Sequence, residues 1–148
     1  MKLSANFTLG EFTASDNAQR LRIDNSLPPE LLNKAAITAE MMERIRSALG
    51  DKPIIITSGY RCLALNRAIG SSDGSDHVKA MAVDFKCPEF GTPFAVATFL
   101  AAQVDSLAIG QIIAEFSSWI HVSTRQPSNP VNRVITINAQ GTHTGIVK

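Results

Sequence analysis

Three side chains of the types that bind divalent metal ions stand out in the sequence: His77, Asp84 and His121. His77 and Asp84 are seven positions apart, and one continuous strand would place residues at this odd separation on opposite faces. We therefore expect His77 in the loop before a strand, from which its side chain can turn back towards Asp84. Two histidines and one carboxylate are a suitable set of protein ligands for a catalytic zinc ion, with the fourth coordination position open for water. The spacing alone also allows the alternative that these are hydrogen-bonded structural residues.

Two short strands are predicted to hold these ligands. A strand over residues 80–85 places Asp84 on the same face as two alanines, whose small side chains leave room beside the carboxylate. A second strand over residues 119–123 carries His121. The segment before it, residues 111–116, is predicted to form the other arm of a hairpin.

The first half of the sequence contains strong helix signals. Thr8 and Glu11 have the spacing of a capping box, so a short helix should begin near Leu9. Pro29 suits the first turn of a long helix, and Gly50 is a natural residue to follow its end. The other predicted elements are a buried strand at Ile54–Thr57, a loop at Arg67–Ser75, a helix from Thr92 to about Gln103 and a last strand at Val131–Ile137. Early helices and late strands favour an α+β fold, with helices packed on a small, mainly antiparallel sheet.

Composition and charge exclude several classes of protein. The 148 residues carry a formal net charge of +1 and no basic run, which argues against a nucleic-acid-binding protein. Hydrophobic residues make up 45% and charged residues 18%, the balance of a globular chain rather than a disordered one. Cys62 and Cys87 are too few for a disulfide-stapled fold and are expected to be reduced thiols.

The sequence predicts one domain over residues 1–148, without repeats or a linker. Neither an export signal nor an apolar stretch long enough for membrane insertion is recognisable. We expect a monomer that is made in the cytoplasm, so that a substrate outside the cytoplasm would require a separate route of release.

Several segments together resemble a known enzyme family. Residues 75–84, SDHVKAMAVD, resemble the SxHxxGxAxD signature of the zinc D-alanyl-D-alanine carboxypeptidases and their peptidoglycan endopeptidase relatives. Residues 119–122, WIHV, resemble the second motif of that family, and residues 58–61, SGYR, resemble its upstream segment. FTLGEF at 7–12 and IDN at 23–25 are similar to the short, often phage-associated members.

This resemblance implies a fold of the hedgehog/DD-peptidase type and a Zn²⁺ ion held by His77, Asp84 and His121. It implies that Arg61 hydrogen-bonds the substrate carbonyl, and that the substrate is a peptidoglycan stem peptide containing D-residues. Asp76 is expected either to orient His77 or to shape the loop. Three further residues are expected to bind the substrate: Ser75, Tyr60 and Trp119.

Two positions depart from the family pattern. The glycine of the signature is Ala80 here, which is a mild change where the backbone is extended. Many members have an acidic general base three residues before the last histidine, and this position is Ser118. Serine cannot accept a proton from water near neutral pH, so Glu115, the nearest acid, is the expected base.

The length of the hairpin turn decides whether Glu115 can act. A two-residue turn at Ser117–Ser118 would pair Glu115 with Ile120 and point it away from His121, whereas a three-residue turn keeps it on the His121 face. Because two serines supply neither Gly nor Asn for the positive φ of a tight hairpin, the longer turn is favoured. The alternative is a solvated carboxylate on a strand edge.

The leading hypothesis is a zinc-dependent peptidase that hydrolyses peptidoglycan stem or cross-link peptides, as a carboxypeptidase or an endopeptidase. Its setting would be that of a bacteriophage endolysin or lysis-associated hydrolase, which leaves the host cytoplasm to act on the cell wall. Ser118 motivates one alternative, a zinc-containing module that binds peptidoglycan without turnover. A structural virion protein without a metal is a third hypothesis.

Overall fold

The computed structural model describes all residues from Met1 to Lys148. Its α-helices are α1 (Leu9–Thr13), α2 (Asp16–Leu21), α3 (Leu32–Ala48), α4 (Leu63–Ala68) and α5 (Pro93–Ala101). Its strands are β1 (Ile55–Ser58), β2 (Ala82–Lys86), β3 (Gln111–Glu115), β4 (Trp119–Ser123), β5 (Val134–Asn138) and β6 (Gly141–Thr144). Short 3₁₀ turns lie at Pro29–Leu31 and Pro130–Arg133.

The strands form one sheet in the order β1-β2-β4-β3-β5-β6. Every neighbouring pair is antiparallel except β3 and β5, which run parallel. Side chains of α3 and α5 join those of the strands in the main apolar core, where Met42 packs with Phe85 and Ile120. Because side chains alternate along a strand, Asp84 and His121 lie on the opposite face. The α+β prediction with a mainly antiparallel sheet is confirmed.

The predicted helix ends are confirmed in three places. Thr8 and Glu11 form the capping box that begins α1. Gly50, with φ of +74°, follows the end of α3. Thr92 caps α5, although this helix ends at Ala101, slightly before the predicted end. No helix combines the length and the apolar character that crossing a membrane requires.

The strand predicted as buried at 54–57 is instead the edge strand β1. It pairs only with β2, and Ile55 is 52% exposed. The run of β-branched residues indicated a strand correctly, but such a run carries no information about which strand lies at the edge of the sheet.

Two other segments differ from the prediction. The predicted loop at 67–75 begins inside α4, a helix whose first turn is capped by the thiol of Cys62, which accepts a hydrogen bond from the Leu65 N–H. The predicted last strand at 131–137 divides into a 3₁₀ turn and β5, and β5 is followed by the unpredicted strand β6. The start of α4 was not predicted because a cysteine is not among the residues that commonly cap a helix. The strand β6 was not predicted because it is short, lies at the sheet edge and contains Gly.

Asn25 joins three segments of the N-terminal half. Its side chain is almost buried, and its Nδ2 donates to the carbonyl oxygens of Thr13 at 2.9 Å and Tyr60 at 3.0 Å. Its Oδ1 accepts from the N–H of Cys62 at 2.8 Å. One side chain therefore fixes the end of α1 against the segment between β1 and α4.

We expect Asn25→Ala to lower the free energy of unfolding by about 2–4 kcal/mol, because it leaves backbone donors and acceptors without partners in a poorly solvated place. Urea denaturation measures this change. Asn33→Ala, on the exposed side of α3, is the matched control and should stay within about 0.5 kcal/mol of the wild type. An Asn25 variant as stable as this control would contradict the bridging role.

Candidate metal centre

His77 lies in the turn before β2, as its odd spacing from Asp84 predicts. Its ring turns back, so that Nε2 lies 3.2 Å from Asp84 Oδ1. On the other side of the ring, Nδ1 lies 2.7 Å from the carbonyl oxygen of Gly59. A carbonyl oxygen only accepts, so Nδ1 carries the hydrogen and donates it to Gly59. In the neutral ring, Nε2 then presents a lone pair to Asp84.

Asp84 and His121 face each other on neighbouring strands. The register of β2 and β4 pairs the two residues directly, and His121 Nδ1 lies 2.9 Å from Asp84 Oδ1. One ligand atom from each of His77, Asp84 and His121 lies within 4.8 Å of the other two, and all three residues are buried. The predicted ligands therefore form one compact cluster.

The charges of this cluster fit a bound cation. Although burial opposes ionisation, the imidazoles of His77 and His121 hold the pKa of Asp84 well below its usual range, so the carboxylate is ionised. Burial lowers the pKa of His77, and the negative charge of Asp84 only partly offsets this shift. The neutral ring is therefore favoured. With the hydrogen of the neutral ring on Nδ1, Nε2 faces the Asp84 carboxylate oxygen at 3.2 Å, an arrangement that a cation beside both atoms would stabilise. Two imidazole nitrogens and one carboxylate oxygen are donors that zinc prefers.

Gly59 supplies the carbonyl that orients His77, and its own position depends on close packing against α1. A Cβ atom at Gly59 would lie 2.4 Å from the carbonyl oxygen of Phe12, which also accepts from the N–H of Tyr60 at 2.7 Å. Such an approach of two backbones requires glycine. Sequence reasoning missed this role, because a backbone acceptor leaves no pattern of side chains; the SGYR segment was the only available signal.

We expect Gly59→Ala to lower the free energy of unfolding by about 1–3 kcal/mol through this overlap. It should also weaken zinc binding by about 10–100-fold, because the Gly59 carbonyl that orients His77 must move. Urea denaturation and competition with a zinc chelator measure the two effects. Gly74→Ala is the control, since a Cβ there meets no atom closer than 3.7 Å. Wild-type zinc affinity in the Gly59 variant would contradict the orienting role.

Asp76 precedes His77 but forms its hydrogen bonds elsewhere. Its carboxylate accepts from Ser123 Oγ at 2.9 Å and from Arg125 Nε at 2.7 Å. Although burial opposes ionisation, the hydrogen bonds from these two donors hold the pKa of Asp76 below its usual range. Of the two expected roles, the structure assigns Asp76 the shaping of the loop, which it ties to the end of β4. Arg125 was not singled out from the sequence, where it follows a strand without any motif.

Glu115 lies beside the cluster because of the length of the hairpin turn. Glu115 pairs with Trp119 across a turn of three residues, which confirms the longer of the two predicted turns. Glu115 is therefore on the same face as His121, and its Oε1 lies 4.0 Å from His121 Nδ1. Burial raises the pKa of Glu115, and the negative charge of Asp84 raises it further.

Left-handed backbone conformations occur at two places around the site. Phe116 and Ser117 have φ of +53° and +54°, so the three-residue turn also contains positive φ, and it does so without Gly or Asn. Ala80 has φ of +58° rather than an extended backbone, so an alanine here is strained where the family signature has glycine. The Ser118 hydroxyl donates to the Phe116 carbonyl within the turn, at 3.0 Å.

One buried hydrogen-bond donor near the cluster, Arg61 Nε, has no partner within the protein, whereas the indole N–H of Trp119 faces the Glu115 carboxylate. Burial lowers the pKa of Arg61, and the charges of Asp84 and Glu115 oppose this shift. The guanidinium thus lies within the field of both carboxylates. Buried donors without partners are rare, and Arg61 Nε is available to an acceptor from outside the chain.

The remaining residues singled out from the sequence lie outside the ligand cluster. Tyr60 is only 6% exposed and packs in a small cluster with two alanines. Ser75 is half-buried, and its Oγ accepts from the His77 N–H at 3.3 Å. His143 lies on β6 beside Asn138 and outside the ligand cluster. Cys62 is half-buried and Cys87 is buried, and the two form no disulfide in the structure.

A buried His–Asp–His cluster next to a carboxylate is a donor set that suits one metal ion beside a proton acceptor, the arrangement of mononuclear metal sites used for hydrolysis. The sequence model of peptidase M15 matches residues 5–123, most of the chain, and the chain belongs to the peptidase M15 family. Peptidases of this family are zinc-dependent, which supports a zinc metallopeptidase acting on peptidoglycan-type peptides. No curated protein matches the sequence.

Proposed function

We propose that this protein hydrolyses peptide bonds in the stem or cross-link peptides of peptidoglycan, with Zn²⁺ held by His77, Asp84 and His121. The observation that carries the proposal is the convergence of three acceptor atoms in a buried cluster, with the Glu115 carboxylate next to it. When bound, zinc supplies a Lewis acid that makes water nucleophilic near neutral pH and polarises a carbonyl group.

Glu115 acts as the general base in this proposal. Its carboxylate faces the same space as His121 and is partly screened from solvent, so it takes a proton from the attacking water and passes it to the leaving amine. The raised pKa brings Glu115 closer to the pH at which such a base works best.

Arg61 and Trp119 hold the substrate. The Arg61 guanidinium donates to the oxygen of the scissile carbonyl and to the negative charge that develops there, a role supported by its buried and unpartnered Nε. Trp119, whose indole N–H faces the Glu115 carboxylate, lines the cleft beside the proposed base. Ser75 and Tyr60 complete the substrate-binding set from the loop and the SGYR segment.

The proposed biological setting is lysis of a bacterial cell by a bacteriophage. The opening segment that resembles short phage-associated members of the family supports this setting. In this setting the enzyme is made in the host cytoplasm and acts on the cell wall after release.

Mass spectrometry of purified peptidoglycan, incubated with the zinc-loaded protein with and without a chelator, tests the proposal. We expect fragments that the chelator abolishes, and their masses identify the bond and distinguish a carboxypeptidase from an endopeptidase. Unchanged peptidoglycan after incubation with folded, zinc-loaded protein would refute hydrolysis. Ser118 would then favour the second candidate, a zinc-containing module that binds peptidoglycan without cutting it.

A further inference from the structure

The order of the strands gives the proposed active site a direction across the sheet. The segment that carries Arg61 follows β1, and Glu115 ends β3. Between them in the order β1-β2-β4-β3, the strands β2 and β4 carry the ligands Asp84 and His121. A peptide whose carbonyl oxygen is held by Arg61, and whose leaving amine receives a proton from Glu115, therefore crosses the sheet with its leaving amine on the β3 side.

Phe116 lies on this amine side, in the turn directly after Glu115. Its side chain is 51% exposed. Its ring centroid lies 6.2 Å from that of Trp119, with the two ring planes inclined at 46°. The indole N–H of Trp119 in turn faces the Glu115 carboxylate. Phe116 and Trp119 therefore form one apolar surface beside the proposed base, named here the aromatic rim.

The backbone fixes Phe116 in a conformation that its side chain disfavours. Phe116 has φ of +53°, in the left-handed region that costs a bulky residue energy. Its N–H donates to the carbonyl oxygen of Ile137 on β5 at 2.8 Å, and its own carbonyl oxygen accepts from Ser118 Oγ at 3.0 Å. Strained residues that the surrounding structure holds in place are concentrated at functional sites. Contact with a ligand explains an aromatic side chain that is both strained and exposed beside a base better than packing within the chain does.

The chemistry of the aromatic rim selects an apolar ligand group. An apolar side chain gains free energy when such a surface removes it from water, whereas an amide loses hydration there without a hydrogen-bond partner in return. Because Phe116 lies on the amine side of the site, this contact concerns the residue that follows the scissile bond.

We propose that Phe116 is a specificity residue of this peptidase and that, with Trp119, it contacts an apolar side chain on the residue that follows the scissile bond. The proposal rests on the proposed peptidase function, and it adds the side of the bond and the chemistry that are selected there.

The test compares two peptides that differ only in the residue after the scissile bond, which is leucine in one and asparagine in the other. The two side chains are similar in size, so the comparison isolates polarity. For the zinc-loaded wild type we expect kcat/KM to favour the leucine peptide by about fourfold or more, the effect of burying one methyl-sized group. Phe116→Asn should reduce this preference by about fourfold, and Phe116→Leu, which keeps an apolar side chain, should retain most of it.

Urea denaturation distinguishes this role from packing. Asparagine tolerates positive φ, so Phe116→Asn should unfold at the same urea concentration as the wild type or at a higher one. Val131→Asn is the matched control, because Val131 is 54% exposed and lies in the 3₁₀ turn beside Gln111, at the opposite end of β3 from Glu115. This control should retain the wild-type preference for leucine.

An unchanged preference in Phe116→Asn would overturn the specificity role while leaving hydrolysis intact. A preference lost together with a lower urea midpoint would also overturn it, because that combination indicates packing. If the wild type cleaves neither peptide, digestion of purified peptidoglycan decides the proposed function, and binding decides the specificity role. Trp119 is the single tryptophan of the chain, so its fluorescence during titration with each peptide reports contact at the aromatic rim. Tighter binding of the leucine peptide that Phe116→Asn weakens supports the proposal, and equal affinities overturn it.

Discussion

His77→Ala is expected to abolish both zinc binding and peptide hydrolysis. His77 is the most deeply enclosed of the three ligands, and its Nε2 is held towards Asp84 by the bond from Nδ1 to Gly59. Changes to groups that only support a ligand weaken metal binding by about 10–100-fold, so loss of the ligand itself should exceed about 100-fold. Zinc content after dialysis, measured by mass spectrometry, and fragment release from peptidoglycan report the two losses.

His143→Ala is the matched control for this experiment. His143 lies on β6 with Asn138 as its partner, so its removal should leave zinc content and hydrolysis at wild-type values. Circular dichroism establishes that the His77 variant is folded. A folded His77→Ala protein that retains stoichiometric zinc and full hydrolysis would refute the proposed ligand set.

Glu115→Gln is expected to lower kcat by about 10²–10⁴-fold while the protein retains zinc. The amide keeps nearly the same shape but cannot accept a proton from water at neutral pH. Zinc should remain bound because Glu115 is not one of the three proposed ligands; its Oε1 lies 4.0 Å from His121 Nδ1, beside the cluster. Rates of stem-peptide cleavage, together with zinc content, separate the proton-transfer role from a metal-binding role.

Ser118→Ala serves as the control for Glu115. The Ser118 hydroxyl donates to Phe116 within the turn, so its loss should change kcat little. If Ser118→Ala reduced the rate and Glu115→Gln did not, Glu115 would not be the base. A wild-type protein that binds the peptide without cutting it would instead favour the inactive module.

The sequence predicted the parts of the site that depend on side-chain type and strand periodicity. The odd separation of His77 and Asp84 correctly placed His77 in the loop, and the length of the hairpin turn correctly placed Glu115 on the His121 face. Both predictions depend on the two-residue alternation of a strand, a local geometric rule that holds in any sheet.

Features that depend on backbone contacts between distant segments were not predictable. The Gly59 carbonyl acts through the backbone, and its position depends on Phe12, far away in the sequence. The position of β1 at the sheet edge depends on the order of all the strands, which no single segment encodes. The positive φ of Ala80 is imposed by the turn that carries His77, against the preference of alanine itself.

The direct pairing of Asp84 with His121 has a consequence for how the chain folds. These residues are neighbours across β2 and β4, yet α5 and β3 lie between them in the sequence. The ligand cluster therefore cannot exist in a partly folded chain that has not closed this long loop. A metal ion that binds only the closed form acts as a reversible cross-link, adding about 2.7 kcal/mol of stability at a free concentration one hundred times its Kd. The melting temperature should thus rise with free zinc concentration, and heating should release the ion in the same transition that unfolds the sheet.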